Sequence, residues 1–138
     1  MRHEVVAALI IQANRILLGK RSPTRLAYPN VWDVFGGHME PGEHHSHTLV
    51  RELQEELGIT PSQWIYIETL TSAASEGQDG PSPLLEMHLY LVTAWSGTPA
   101  NRQLHEHTTI QWFSLAEAVQ LDLAHSTYPQ LFARVLKP

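Results

Sequence analysis

The chain has 138 residues, 43% of them hydrophobic and 17% charged, and these values predict one soluble globular domain over residues 1–138. It has no cysteine, which excludes disulfides, thiolate catalysis and cysteine-ligated zinc and favours a cytoplasmic location. The net charge of −5, without any basic run, argues against binding to duplex nucleic acid. The most apolar run, residues 5–11, is too short to cross a membrane, and we expect no signal peptide.

The first third of the chain predicts strands. Residues 5–11 and 15–19 are rich in aliphatic side chains, and residues 13–14, Ala-Asn, suit a tight hairpin because asparagine tolerates a positive φ. Residues 22–30 contain two prolines and predict an irregular loop. Residues 31–35 are a short apolar segment that predicts a strand running into a pair of glycines.

Residues 48–57 have the pattern of an amphipathic helix. At about 100° per residue, one arc of this helix carries four aliphatic residues: Leu49, Val50, Leu53 and Leu57. The opposite arc carries Glu52, Glu55 and Glu56. Gly58 follows directly and is typical of the residue that ends a helix.

The next part of the chain predicts two strands with a loop between them. Residues 64–70 predict a strand, and residues 72–83, rich in serine, glycine and proline, predict a mobile loop. Residues 84–95 alternate, so that one face of the predicted strand is apolar: Leu85, Met87, Leu89 and Leu91. The opposite face is therefore expected to be free to meet a ligand.

The C-terminal part predicts a last strand and two short helices. Residues 109–113 predict the strand, and Ser114 with Glu117 forms a capping box for a helix to about residue 120. Residues 127–130 repeat the capping pattern before a final helix. Strands before and after a central helix, with a helix at the end, predict a mixed α/β fold.

The three glutamates on the central helix need a physical explanation. Acidic residues four apart destabilise a helix, and Glu52 and Glu56 form such a pair with Glu55 beside them. A divalent cation among these carboxylates removes the repulsion, and hard oxygen ligands suit Mg²⁺ or Mn²⁺. Most acidic motifs this short are only the solvated face of a helix. The choice between that interpretation and a metal site therefore depends on the longer sequence pattern around the motif.

That longer pattern is the Nudix box, G-x5-E-x7-R-E-U-x-E-E-x-G-U, where U is aliphatic. All its specified positions are matched: Gly37, Glu43, Arg51, Glu52, Leu53, Glu55, Glu56, Gly58 and Ile59. The chain therefore resembles the Nudix hydrolases, especially the MutT-like nucleoside-triphosphate pyrophosphohydrolases. The resemblance implies an α/β/α sandwich with a mixed central sheet.

The resemblance also implies metal ligands. Glu55 and Glu56 would be the principal ligands of Mg²⁺, which Mn²⁺ could replace, and the carbonyl of Gly36 would assist. Glu52 would bind the metal or orient the attacking water. The implied reaction is attack of water on phosphorus, which cleaves a nucleoside triphosphate, including an oxidised one, to a monophosphate and pyrophosphate.

Three further residues receive catalytic roles. Glu43 and Arg51 would form an ion pair that fixes the loop before the helix. Some relatives use an additional glutamate before the last strand, and Glu106 lies at that place, although it is equally explained as an exposed loop carboxylate.

Substrate choice depends on residues outside the box. Arg21 could meet phosphates, and Trp32 and His88 could stack on or hydrogen-bond to a base, with Tyr28 and Tyr90 as weaker candidates. Each of these side chains is also explained as part of the core, the rim or the solvated surface. The downstream proline of ADP-ribose hydrolases and the tyrosine of diadenosine polyphosphate hydrolases are both missing from residues 73–77, which favours nucleoside triphosphates.

A group of three histidines, His44, His45 and His47, does not predict a zinc site, because residues this close in sequence rarely converge on one ion. His44 also stands where relatives often have a capping serine, so Ser46 is expected to cap the helix. A phenylalanine, Phe35, replaces the proline that often precedes the two glycines.

Other functions are compatible with parts of the pattern. The substrate could be ADP-ribose, a nucleotide sugar or a dinucleotide polyphosphate, and the protein could be a monomer or a homodimer. A catalytically silent nucleotide-binding module is disfavoured because all the box carboxylates are present. An isopentenyl diphosphate isomerase is disfavoured because that chemistry depends on a cysteine.

Overall fold

The computed structural model describes residues 2–25, 29–72, 76–77, 80–81 and 84–138. Its nine strands and three helices follow the chain in this order: β1 (Arg2–Gln12), β2 (Arg15–Arg21), β3 (Trp32–Asp33), β4 (Phe35–His38), α1 (His45–Leu57), β5 (Thr60–Ser72), β6 (Glu76–Gly77), β7 (Gly80–Pro81), β8 (Leu84–Ser96), β9 (His107–Phe113), α2 (Leu115–Ala118) and α3 (Tyr128–Val135).

Among the described residues, seven strands form one mixed sheet. The main path through it is β3-β2-β1-β8-β5, with β4 paired to β1 and β9 paired to β2. β1 and β8 run parallel, whereas the other pairs are antiparallel. The two remaining strands, β6 and β7, pair with each other.

Alternation along β1 divides the core into two layers. Ala7 and Leu9 point into the layer that α2 and α3 cover, while Val6, Ala8 and Ile10 point into the layer that α1 covers. All five are buried. Helices therefore cover both faces of a mixed sheet, which confirms the predicted α/β/α sandwich.

Several local predictions hold. The hairpin between β1 and β2 turns at Ala13 and Asn14, whose φ values are 50° and 57°. Ser114 and Glu117 form the complete capping box of α2. Gly58 ends α1 in the left-handed region with φ of 71°.

Other boundaries differ from the predictions. Residues 31–35 divide into β3 and β4 because the first pairs with β2 and the second with β1. α1 begins three residues before the predicted start, and the N-cap residue is His44, without a side-chain bond, so the prediction that Ser46 caps it is wrong. Thr127 likewise makes no side-chain cap for α3. The predicted mobile loop, residues 72–83, lies largely outside the described residues.

Within the described part of the chain, no helix is both long enough and apolar enough to cross a membrane.

Candidate active site

The glycines of β4 let the polar arc of α1 approach the sheet closely. A Cβ on Gly36 would lie 2.1 Å from the carbonyl oxygen of Val6, and one on Gly37 would lie 2.4 Å from the carboxyl group of Glu52. The amide of Gly36 donates to Glu56 Oε2 at 2.9 Å. The glycine pair therefore places two glutamates of the helix against the backbone of the sheet.

Three carboxylates meet where α1 faces the loop before β9. These residues, Glu52, Glu56 and Glu106, are called the acidic cluster below. Glu56 is only 4% exposed, and burial raises its pKa to about 9, with further increases from Glu52 and Glu106. Burial also raises the pKa of Glu52, although Arg51 Nη1 lies 2.8 Å from its Oε1. A buried group of acids with raised pKa values is stabilised by a cation.

The surroundings of Glu56 fit a divalent metal ion. Glu56, Glu106 and His107 each place a ligand atom within 4.8 Å of the others. Burial, assisted by Arg25 and Arg21, lowers the pKa of His107 to about 4, so its ring is neutral at pH 7. Carboxylate oxygens and a neutral imidazole nitrogen are both donors to divalent metals.

The loop before α1 is fixed by an ion pair between Glu43 and Arg51. Arg51 Nε donates to Glu43 Oε2 at 2.9 Å and Nη2 donates to Oε1 at 2.8 Å, so the contact is bidentate. The hydroxyl of Thr48 donates to Glu43 Oε1 at 2.9 Å and the amide of Glu40 at 2.8 Å. Hydrogen bonds from Arg51 lower the pKa of Glu43 to about 2. The expected ion pair is present, and both its charges are satisfied within the fold.

A cavity of about 930 Å³ opens over the acidic cluster. Its apolar wall is built by the strand residues Val5, Ala7, Leu85 and Met87. Its polar wall carries residues from four other parts of the chain: Arg21, Arg25, Asp33, Arg51, His125 and Tyr128. This volume is in the range of small-molecule sites, and cationic side chains line the cavity together with the carboxylates.

Comparison with known proteins places this site in a family. The NUDIX domain model matches residues 1–135. The chain is 37% identical to the CTP pyrophosphohydrolase of Escherichia coli K12 over 130 residues, which cover 94% of this chain and 89% of that protein. It is 32% identical to the nucleoside triphosphatase NudI of Enterobacter sp. strain 638, over 92% of this chain and 93% of that one.

The chain belongs to the NUDIX family of hydrolases. Its fold agrees with solved structures of that family. The solution structure of the E. coli ORF135 protein matches with a TM-score of 0.76 and 33% identity, over 97% of this chain and 89% of that one. The MutT NUDIX hydrolase of Burkholderia pseudomallei matches with a TM-score of 0.75 and 26% identity, over 85% of this chain and 86% of that one.

Two residues of the Nudix hydrolase cavity were missed by the sequence analysis. Tyr128 Oη donates to Asp33 Oδ1 at 2.7 Å, and Arg21 Nη1 lies 3.3 Å from Asp33 Oδ2. Burial raises the pKa of Asp33, while Tyr128 and Arg21 oppose the increase. An acidic residue between Trp32 and Val34, inside an apolar segment, was the available signal, since buried carboxylates are rarely without partners.

The structure changes the interpretation of the proposed base contacts. Neither Trp32 nor His88 belongs to the described lining of the cavity. The ring of Trp32 packs edge-on against Phe113, with centroids 4.9 Å apart, so it is part of the core. His88 is buried between Glu4 and Thr69. The expectation that these two side chains contact the base therefore loses its geometric support.

Three of the other predicted residues lie at the cavity or the acidic cluster, and one lies outside the described residues. Arg21 lines the cavity and is ion-paired with Asp33. The side chain of Glu55 is 50% exposed and lies 3.7 Å from Arg51, so it stands at the outer edge of the acidic cluster. Glu106 lies 4.0 Å from Arg25 Nη1. Tyr28 is outside the described residues.

Proposed function

We propose that this Nudix hydrolase uses Mg²⁺, which Mn²⁺ can replace, to cleave a nucleoside triphosphate to a nucleoside monophosphate and pyrophosphate. The observation that supports this most strongly is the buried carboxylate of Glu56 beside Glu52 and Glu106 at the base of a cavity. The side chains around these carboxylates offer too little positive charge to neutralise them. A divalent cation that binds together with the polyphosphate would supply the missing positive charge.

The substrate class is supported by the names of two relatives. One is a CTP pyrophosphohydrolase and the other a nucleoside triphosphatase, and each aligns over about nine-tenths of both chains. The cavity adds a physical argument, because Arg21 and Arg25 line it together with the acidic cluster. A polyphosphate in this cavity would meet both cationic side chains and metal-bearing carboxylates.

The residues proposed to hold the metal are Glu52, Glu55, Glu56 and the carbonyl group of Gly36. When bound, the divalent cation supplies positive charge to the phosphate oxygens and to the leaving group. The ion pair of Glu43 with Arg51 holds the loop before α1, and with it the position of the helix, during this reaction.

Glu106 is the proposed general base. Glu52 Oε1 accepts a 2.8 Å hydrogen bond from Arg51, whereas the cation nearest to Glu106 in the described ion pairs is 4.0 Å away. The described contacts therefore hold Glu106 less tightly than Glu52, which favours Glu106 as the residue that accepts a hydrogen bond from a water attacking phosphorus. The water oxygen bonds to phosphorus, the bond to the bridging oxygen breaks, and the proton goes to the carboxylate.

Some properties stay predictions from the sequence alone. These are a single domain over residues 1–138, a cytoplasmic location and a monomeric or homodimeric state.

The experiment that tests the proposal is a hydrolysis panel with chromatographic separation of products. It compares common and oxidised nucleoside triphosphates with ADP-ribose, nucleotide sugars and dinucleotide polyphosphates. We expect a monophosphate and pyrophosphate from a triphosphate, with activity lost in EDTA and restored by Mg²⁺. Preference for another compound would refute the proposed substrate, and absence of turnover with any of them would refute the proposed reaction.

A matched pair of variants links the activity to the site. Glu56→Gln replaces a carboxyl group of the acidic cluster with an amide, while Glu68→Gln makes the same change at a surface residue that pairs with Arg134. We expect the first variant to be inactive and the second to match the wild type.

A further inference from the structure

A second group of metal-ligating side chains lies apart from the cavity. Glu4 of β1, His45 of α1 and His88 of β8 each place a ligand atom within 4.8 Å of the others, and they are called the imidazole cluster below. Val5 lines the cavity, and adjacent residues of a strand point to opposite faces. Glu4 therefore faces away from the cavity, on the α1 side of the sheet.

One pair in this cluster lies at hydrogen-bond distance, which is close to the spacing of two metal ligands. Glu4 Oε1 lies 3.1 Å from His88 Nε2. Tetrahedral zinc, with bonds of about 2.0–2.2 Å to nitrogen and oxygen, places its ligand atoms about 3.3 Å apart. A second carboxylate, Glu86, has Oε2 3.9 Å from the same nitrogen and is the nearest further donor among the described contacts.

The other nitrogen of His88 has a hydrogen-bond partner that can fix the orientation of the ring. Thr69 Oγ1 lies 2.8 Å from His88 Nδ1, and Tyr66 Oη lies 2.7 Å from the same hydroxyl oxygen. With Nδ1–H donating to Thr69, the lone pair of Nε2 faces Glu4 and is available to a cation. Such partners fix the tautomer and ring orientation of a ligating histidine.

His45 makes two contacts at this cluster. Its Nδ1 lies 2.7 Å from Tyr90 Oη, and its ring stacks on that of His88 with centroids 4.1 Å apart. Because an imidazole lone pair lies in the plane of its ring, the ring of His45 must turn for its Nε2 to reach an ion held by His88.

We propose that Glu4, His45 and His88 form a second metal site, which binds Zn²⁺ in preference to Mg²⁺. Two imidazoles and a carboxylate suit zinc, whereas Mg²⁺ prefers a set of oxygen ligands. The ion joins the first residue of α1 to the two parallel strands β1 and β8. Since α1 carries Glu52 and Glu56, this bond stabilises the helix on which the acidic cluster is built. The inference does not depend on the proposed reaction.

Zinc titration of the full chain in excess Mg²⁺ tests the site, with binding followed by calorimetry. The excess of Mg²⁺ occupies the acidic cluster, and a Glu56→Gln background removes that cluster independently. In both settings we expect a single equivalent of Zn²⁺ to bind. Failure of Zn²⁺ to bind in the Glu56→Gln background would overturn the proposal.

Substitutions in the imidazole cluster locate the bound ion. Glu4→Gln and His45→Ala should each weaken Zn²⁺ binding by more than about 100-fold, because loss of an outer partner alone costs 10- to 100-fold. Thr69→Val removes only an outer partner and should weaken Zn²⁺ binding by about 10- to 100-fold. Equal Zn²⁺ affinity in Glu4→Gln and the wild type would overturn the proposal, and circular dichroism without metal checks that each variant folds.

His47→Ala is the matched control. His44 and His47 are exposed, and their rings lie 5.6 Å apart on the same turn of the chain. This substitution also removes a histidine near the start of α1, but one that is outside the imidazole cluster. We expect it to leave the Zn²⁺ affinity unchanged, and a loss equal to that of His45→Ala would show adventitious binding to the exposed histidines.

The imidazole signals give a readout that is independent of affinity. In ¹⁵N-labelled protein, Zn²⁺ should shift the ring nitrogens of His45 and His88 and leave those of His44 and His47 in place. Shifts confined to His44 and His47 would contradict the assignment.

Discussion

Glu43 and Glu56 belong to the same Nudix box, yet they lie in opposite electrostatic surroundings. Both oxygens of Glu43 accept hydrogen bonds from Arg51, and its pKa is lowered to about 2. Glu56 is 4% exposed, receives one amide hydrogen bond from Gly36, and has a pKa raised to about 9. The charge of Glu43 therefore stabilises the fold, whereas that of Glu56 needs a cation that the fold does not supply.

The largest expected effect is that of Glu56→Gln. A bound divalent ion stabilises the transition state by several kcal/mol, so loss of its central ligand should reduce kcat/KM at least about a thousandfold. The fold should persist, because a neutral amide fits the buried position better than a carboxylate does. Steady-state kinetics and thermal unfolding in EDTA measure the two effects. Turnover within a few-fold of the wild type would show that the acidic cluster is not the metal site.

Glu43→Gln should have a smaller effect on activity. The amide cannot replace the bidentate ion pair with Arg51, so the loop and the start of α1 should shift. We expect kcat/KM to fall about 10- to 100-fold, as misplacement by about 1 Å produces. The affinity for Mn²⁺ should change much less than in Glu56→Gln. If Glu43→Gln abolished Mn²⁺ binding, the assignment of a structural role to Glu43 and a metal-binding role to Glu56 would be wrong.

Gly37→Ala tests the close approach of the helix to the sheet. The new Cβ would lie 2.4 Å from the carboxyl group of Glu52, so that side chain must move. A loss of about tenfold in kcat/KM is expected from this displacement. Gly42→Ala is a comparison variant in the same loop, where the new Cβ meets nothing within 4 Å but the backbone has φ of +83°. Wild-type activity of Gly37→Ala would contradict the tight contact.

The two glutamates should also differ in how they make stability depend on pH. In the metal-free protein, the pKa of Glu56 is about 9 when folded against an ordinary value of 4.5. The folded state therefore keeps a proton that the unfolded chain loses, so this contribution is full below pH 4.5 and is lost as the pH rises to about 9. Glu43, with a folded pKa of about 2 against 4.5, contributes above pH 4.5 and loses its contribution as the pH falls towards 2.

Urea unfolding in EDTA across this pH range separates the two residues. Subtracting the free energy of unfolding of Glu56→Gln from that of the wild type should give a difference that declines on the alkaline side. The same subtraction for Glu43→Gln should give one that declines on the acid side. If both differences in the free energy of unfolding declined on the same side of the pH range, the opposite roles of the two glutamates would be refuted.

The sequence predicted the parts of the site that depend on local pattern. The acidic arc of α1, its end at Gly58 and the ion pair of Glu43 with Arg51 follow from helical periodicity and from a motif contained in a short stretch. The start of α1 was predicted too late because its first three residues, His45, Ser46 and His47, have no apolar periodicity.

The parts that were not predicted depend on contacts between distant segments. Tyr128 meets Asp33 across 95 positions of the chain, and no local pattern marks that pair. His45 was considered only with its sequence neighbours, but the position of α1 on the sheet brings it to Glu4 of β1 and His88 of β8 instead. Side chains that converge from separate strands become visible only when the sheet order is known.

The most direct test of the central claim is Mn²⁺ binding by electron paramagnetic resonance, since free Mn²⁺ gives a signal that weakens on binding. The wild type, Glu43→Gln and Glu56→Gln are titrated at pH 7.5 without substrate. The account predicts that the wild type and Glu43→Gln bind Mn²⁺ with similar affinity and that Glu56→Gln binds at least about tenfold more weakly. Equal affinity in Glu56→Gln and the wild type would contradict the claim that the acidic cluster holds the metal.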